Sequence, residues 1–376
     1  MLLFAPVLKQ PVVTTAVAAV AILAAVVLLL SLRFGGNVTG FFRIGDALPL
    51  SPSLPGDEAL VHRGEVGYDG QFFLTLAYDP LLRQEETLAA LDSPRYRARR
   101  ILYPALAYLI ALGSPRAIPW ALVFLNVVSA ISLVGLLSFR ALRETPWKAL
   151  SVLAFQGLWV CLTVSPADLM ALAFLVAALV SYRTRRPLGA AAGLLFASLT
   201  RETYLLHAAL LAGLSLRERR WREALMIAAG QIPAAVWNAW VMLRVPAGGS
   251  AVKENFGLPF AGVGEAALKL LRGEPTGKLL YEGLSLALLL GVAAALAWAL
   301  ARRELAGWCA VPFLVLLAIS RVGLVDYYVN YTRVFLGLYV LLLMCDGGDR
   351  FRRFRTGLVA GSAVASALYV GRQLFF

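Results

Sequence analysis

Long apolar runs separated by short polar breaks make up most of the chain. Val12–Leu32 carries no charge, and about twenty such residues suffice to cross a hydrocarbon core of roughly 30 Å. No small-residue cleavage site follows this run and further apolar runs come later, so it reads as a retained first span rather than a leader. Pro119–Phe139 predicts another span. Ile101–Leu112 is apolar over only twelve residues, a length that suits an interfacial or re-entrant helix. Leu188–Leu216 fits either one tilted helix or a hairpin of two short helices turning at Thr200–Arg201–Glu202. The hairpin is preferred, because it keeps the flanking basic segments in one compartment and lifts an Arg–Glu pair out of the mid-membrane, where charge is costly. Gly264–Leu271 has the pattern of a short interfacial amphipathic helix.

Charge then fixes the orientation. The 376 residues are 60% hydrophobic and 15% charged, with a mean hydropathy of +0.74, too apolar for a soluble domain of this length. The net charge of +13 is concentrated in short loops, Arg140–Lys148, Arg183–Arg186, Arg217–Arg222, Arg302–Arg303 and Arg350–Arg355. Such loops mark the cytoplasmic side, so the basic balance requires no nucleic acid partner. The expected fold is therefore all-α: one polytopic membrane domain over residues 1–376, with about eleven transmembrane helices and an inside N-terminus. Residues 33–100 form a large first outer-face loop with interfacial helices, and residues 244–278 form a second. Cys161, Cys309 and Cys345 lie singly in apolar runs, against a disulfide framework or a thiolate metal site. His62 and His207 are the only histidines, against chemistry that needs a histidine cluster.

The candidate chemistry collects in the first outer loop, in the stretch Gly67–Pro80. Asp69 lies between Gly67 and Gly70, which permit a tight turn and close approach of a ligand, with Phe72 and Phe73 as an anchor into the interface. An aspartate in this setting suits a general base for an acceptor hydroxyl, or it simply ends a turn. Arg95, Arg97, Arg99 and Arg100 run against the positive-inside trend. Guanidinium forks bind phosphate, whereas snorkelling anchors would pair with headgroups or with Asp92. Asp46 and Asp79 are weaker candidates, Asp79 being as well suited to a cap before its proline. Arg201 and Glu202 are either functional or a structural ion pair, and Asp168 reads as a helix N-cap. In Asp326–Arg333, tyrosines such as Tyr331 and Asn330 could meet sugar hydroxyls and Arg333 an anion, or the segment is an aromatic belt. Trp237, Asn238 and Trp240 could line the same cavity.

Tyr68-Asp69-Gly70-Gln71-Phe72-Phe73 resembles an aromatic-Asp-x-x-x-Phe pattern in the first outer loop of GT-C superfamily membrane glycosyltransferases. The likeness is to the PIG-V-type mannosyltransferase group and its bacterial relatives, and Leu199-Thr200-Arg201 resembles a second segment of such chains. Tyrosine stands where tryptophan is usual, and no DxD metal motif is present. The resemblance implies inverting transfer of a mannose-like sugar from a polyprenyl-phosphate-linked donor to a glycan, lipid or protein acceptor. The setting would be the outer face of a bacterial cytoplasmic membrane. Asp69 would be the catalytic carboxylate. Arg99, Arg100 and Arg201 would lie near the donor phosphate, stabilising its departing charge without a metal ion or cofactor. Tyr68, Gln71, Glu202, Asp46, Tyr331 and Arg333 complete the expected substrate-binding set. The rival readings are a secondary transporter, a non-catalytic lipid-binding protein, and a ligase that moves a whole glycan.

Overall fold

Where the helices break decides the architecture. A computed structural model describes residues 5–54, 58–248, 255–274 and 276–375. About 75% of it is helical, and the small strands β1 (Ile44–Gly45) and β2 (Val61–His62) pair in parallel, Ile44 with Val61 and Gly45 with His62. Five helical segments are long and apolar enough to cross a membrane: Lys9–Arg33, Ile118–Ala141, Trp221–Arg244, Gly277–Ala301 and Asp349–Phe375. The pair Pro146–Ala154 and Gln156–Val164, bent by 63°, gives a sixth if it is one broken span. Their outward faces are apolar, as lipid requires: Val20, Phe124, Leu243 and Val364 are all exposed. The chain is a helical integral membrane protein.

The remaining apolar runs are cut into shorter pieces than the sequence suggests. The helix α1 (Ala5–Leu28) is followed within residues 33–100 by α2 (Asp69–Tyr78), α3 (Glu85–Ala89) and α4 (Pro94–Ala98). Next come α5 (Leu102–Ile110), α6 (Ile118–Leu136), α7 (Gln156–Val164) and α8 (Asp168–Arg183). Proline at the first position opens α9 (Pro187–Thr200), where its missing N–H costs nothing. Gly193 allows α9 to lie against α8, since a Cβ there would sit 2.9 Å from both the Ala178 Cβ and the Phe174 carbonyl. At Arg201 the backbone turns extended, Glu202–Tyr204 forms one 3-10 turn, and α10 (Leu205–Arg217) begins. The break therefore falls where an Arg–Glu pair interrupts the apolar run. At 1.5 Å per residue, α9 spans roughly 21 Å, short of a full hydrocarbon core.

The chain divides into two compact units. One comprises residues 16–136 and 161–251; it holds α2 to α6, α8 to α10, α11 (Trp221–Ala229) and α12 (Ile232–Arg244). The other comprises residues 1–15, 137–160 and 252–376. It includes the amphipathic α13 (Ala261–Arg272), the long α14 (Gly277–Ala301) and α15 (Leu305–Ile319). These are followed by α16 (Val322–Val325), α17 (Tyr328–Val334), α18 (Leu336–Leu343) and the long α19 (Asp349–Phe375).

One expectation about the first outer loop is overturned. Phe72 and Phe73 are not interfacial anchors but core residues, 2% and 1% exposed. Phe72 packs with Leu76 and Leu91, and Phe73 meets the Tyr103 ring edge-on at 5.4 Å. The α2 helix thus sits inside the unit, because nine of its ten residues are buried.

Orientation can be checked by labelling. A cysteine at Ala261 is expected to react with an impermeant thiol reagent in intact cells, and one at Glu218, at the end of α10, is expected not to react. Reaction at Glu218 without permeabilisation would overturn the hairpin. Asp57, a further expected outer-face position, lies outside the described residues.

Candidate active site

The site grows from the start of α2. Gly67 takes a positive φ of 84°, which turns the chain into Tyr68, the extended residue before the helix. Asp69 is the first helical residue, at the end where a carboxylate meets the positive end of the helix dipole. Gly70 lies against the last residue of α7: a Cβ there would stand 2.4 Å from the Val164 carbonyl oxygen. Any larger residue would push α2 away from that helix end. Gln71 locks the other side, accepting from the Gly45 N–H at 2.8 Å and donating to the Gly45 carbonyl at 3.1 Å.

Asp69 is met by Arg97 from α4. Arg97 Nη1 donates to Asp69 Oδ1 at 2.7 Å, while Nε and Nη2 donate to the two oxygens of Asp92 at 2.8 and 2.7 Å. Its guanidinium also lies 4.5 Å from the centre of the Phe72 ring. Three residues on, Arg100 donates to both oxygens of Glu202 at 2.9 and 3.0 Å and lies 4.2 Å from the Tyr96 ring centre. Arg201 pairs with Asp168. Arg97 lies in the last turn of the short α4, and Arg100 follows just after the helix has ended, so the two guanidiniums take different carboxylates.

Burial decides the electrostatics. Burial works against the Arg97 cation, but the Asp69 carboxylate and the Asp92 fork outweigh it and raise its pKa. Arg100 behaves alike: Glu202, then Tyr96, overcome the loss of solvent and raise it. Burial pushes Glu202 upward, and the Arg100 charge and hydrogen bonds pull it further down, leaving its pKa below the ordinary glutamate value. These groups form a buried network of ion pairs.

The expected site residues separate accordingly. Asp69, Arg100, Arg201 and Glu202 come together in one unit, with Tyr68 and Gln71 at the base of the same helix. Arg100 and Arg201, expected beside a phosphate, each hold a carboxylate. Arg99 is different: its hydrogen bond goes to Met242 Sδ at 3.0 Å, and no carboxylate among the described residues pairs with it. Asp46 is exposed and accepts from the Gly64 N–H at 2.6 Å, linking the residues that follow β1 and β2. Tyr331 and Arg333 belong to the other unit, where the Tyr331 hydroxyl donates to the Glu282 carbonyl at 3.0 Å. Trp237 donates to the Ala98 carbonyl at 2.9 Å and stacks on Trp240, while Asn238 bonds back to Ala234 in its own helix.

Four residues carry more of the structure around the site than the sequence suggests. The N-cap of α8 is Ala167; Asp168 is the first residue of the helix and pairs with Arg201. The N-cap reading fails by one position: with Ala167 at the cap, Asp168 stands in the first turn, where its carboxylate meets the Arg201 guanidinium. Arg97 holds Asp69 and is itself held by Asp92, a partnership that no spacing in the sequence announces. Arg95, the arginine farthest toward the polar end of the group, donates twice to the Val245 carbonyl, at 3.1 and 2.9 Å, and ties α4 to the end of α12. Among the described residues, no group of three or more His, Cys, Asp or Glu side chains is arranged to hold a metal ion. The fold and site therefore define a helical integral membrane protein with a buried carboxylate–arginine cluster. No family model, curated protein or solved structure matches the chain.

Proposed function

We propose that the chain is an inverting GT-C-type glycosyltransferase, crossing the bacterial cytoplasmic membrane about eleven times and working on its outer face. A mannose-like sugar would move from a polyprenyl-phosphate donor to the hydroxyl of a glycan, lipid or protein acceptor. The hydroxyl oxygen attacks the anomeric carbon, the bond from that carbon to the phosphate oxygen breaks, and the phosphate departs with the bonding pair. The hydroxyl proton passes to Asp69. The observation that carries this reading is the fixed carboxylate of Asp69 at a helix start, with Arg97 holding it and Arg99 nearby in sequence without a carboxylate of its own. Transfer of this kind needs oriented charge at the leaving phosphate, and Arg99 is the guanidinium free to supply it.

The test is donor binding and release of polyprenyl phosphate by the detergent-purified protein, using a short-chain polyprenyl-phosphate mannose. A charge-assisted hydrogen bond contributes about 1.5–3 kcal/mol, so Arg99→Ala is expected to weaken donor binding by about tenfold or more. Arg99→Lys should recover part of that, because it keeps the charge but loses the fork. Equal affinity in all three proteins rejects the phosphate role. A non-catalytic reading has one observation in its favour: the Asp69 carboxylate is nearly closed off, its side chain 11% exposed, and already paired. Absence of any turnover with intact donor binding would favour it.

A further inference from the structure

In the unit formed by residues 1–15, 137–160 and 252–376, the long helices α14 and α19 run antiparallel. Tyr281, near the start of α14, donates to the Ala365 carbonyl at 2.9 Å. Trp298, near its end, stacks on Phe351 with ring centres 4.9 Å apart. The end of α14 therefore meets the start of α19. Both helices are of membrane-crossing length, so this meeting point falls at the level of lipid headgroups.

Arginines gather there against local preference. Arg302 and Arg303 follow α14, while Arg350, Arg352 and Arg353 lie at the start of α19, and all are exposed. The first turn of a helix carries positive partial charge, so cations there oppose its dipole. Arg303 takes a φ of 61°, the left-handed conformation that helix ends usually leave to glycine. Setting the orientation of the chain requires neither feature, because arginines in an unstrained loop would serve. Carboxylates answer only part of this charge: Asp349 takes Arg352 at 2.5 Å, and Glu304 stands 4.0 Å from Arg302. Among the described residues, no carboxylate pairs with Arg303, Arg350 or Arg353. The Arg302 guanidinium lies 4.8 Å from the Trp298 ring centre, and Trp298 and Phe354 are both exposed.

We infer that the joined ends of α14 and α19 are a seat for the headgroup of an anionic phospholipid. Guanidinium forks match the oxygens of a lipid phosphate, and basic sites between membrane helices hold such headgroups. The exposed rings of Trp298 and Phe354 suit the glycerol and the first chain carbons, where aromatic side chains prefer to lie. Charge selects the class. A zwitterionic lipid brings its own ammonium, which the unpaired arginines repel, whereas an anionic headgroup brings none. The inference goes beyond the transferase reading, since it concerns the other unit and neither Asp69 nor Arg99.

The experiment is native mass spectrometry of the full-length protein, released from detergent with equal amounts of palmitoyl-oleoyl phosphatidylglycerol and phosphatidylcholine. Phosphatidylglycerol is expected to be retained about tenfold better, the effect of a charge-assisted hydrogen bond. Arg303→Gln with Arg350→Gln should remove that preference, and lysine at both positions should restore part of it. Arg303→Gly relaxes the left-handed turn, so it should fold at least as well as the wild type and still retain less phosphatidylglycerol. Arg183→Gln with Arg186→Gln removes the same charge from exposed arginines at the end of α8 and should leave the preference intact. Equal retention of the two lipids by the wild type overturns the inference, as does an equal loss in the α8 pair. Displacement of the lipid by glycerol phosphate would assign the arginines to a water-soluble anion and overturn it as well.

Discussion

Asparagine in place of Asp69 is expected to reduce sugar transfer by about 10²-fold or more while leaving folding and donor binding nearly unchanged. The substitution removes the proton acceptor but keeps the shape and a hydrogen-bonding oxygen toward Arg97. Arg97 retains its two-point contact with Asp92 at 2.8 and 2.7 Å, so its buried charge stays compensated. That makes this variant cleaner than alanine, which would open a gap at the start of α2. Asp79→Asn is the matched control, because Asp79 accepts from the Gln84 N–H at 2.9 Å and serves the turn before α3. The measurement is the rate of polyprenyl phosphate release by the purified variants, with donor affinity and the unfolding midpoint as companions. Near-normal release by Asp69→Asn would return the aspartate to a purely structural role at the helix start.

Alanine in place of Arg100 is expected to cost stability above all. Arg100 is 2% exposed and the Glu202 side chain 15%, so the variant strands a carboxylate in a poorly solvated place. Breaking a buried pair from one side costs about 3–5 kcal/mol, and the loss of the Tyr96 ring contact adds to it. Glu202→Gln should also destabilise by leaving the arginine uncompensated, whereas replacing both by apolar residues of similar size, Arg100→Met with Glu202→Leu, should recover much of the loss. The pH dependence has a definite sign. Glu202 is held below its ordinary value in the folded chain, so its contribution is whole above about pH 4.5 and is lost as pH falls through the lower folded value. Unfolding midpoints measured from pH 7 downward should therefore fall more steeply for the wild type than for Glu202→Gln. If Arg100→Ala instead unfolds like the wild type and loses only donor affinity, Arg100 belongs to the phosphate and not to the scaffold.

Local pattern carried much of the architecture. An uncharged run such as Val12–Leu32 can only be a long lipid-facing helix, and that is what Lys9–Arg33 forms. The break at Arg201–Glu202 was equally legible, because two charges in an apolar run cannot continue an ordinary span. The amphipathic pattern around Gly264–Leu271 likewise becomes a helix, Ala261–Arg272, with Leu268 and Leu271 exposed. In each case the determining interaction is between a residue and its solvent, or between neighbours a few positions apart.

Partner choice is of another kind. Arg97 and Asp69 are 28 residues apart, and Arg100 and Glu202 are 102 apart. No periodicity links them. In a low-dielectric interior each buried charge must find an opposite one, and which one it finds depends on how α2, α4, α8 and α9 pack. That packing turned Asp168 from a helix cap into the partner of Arg201, took Arg100 for Glu202, and drew Phe72 and Phe73 inward. Sequence alone showed where charge interrupts the apolar runs, as at Arg201–Glu202, and where the long uncharged helices lie. Only tertiary structure decided which charges neutralise one another, because that depends on distances between elements that the chain order does not encode locally.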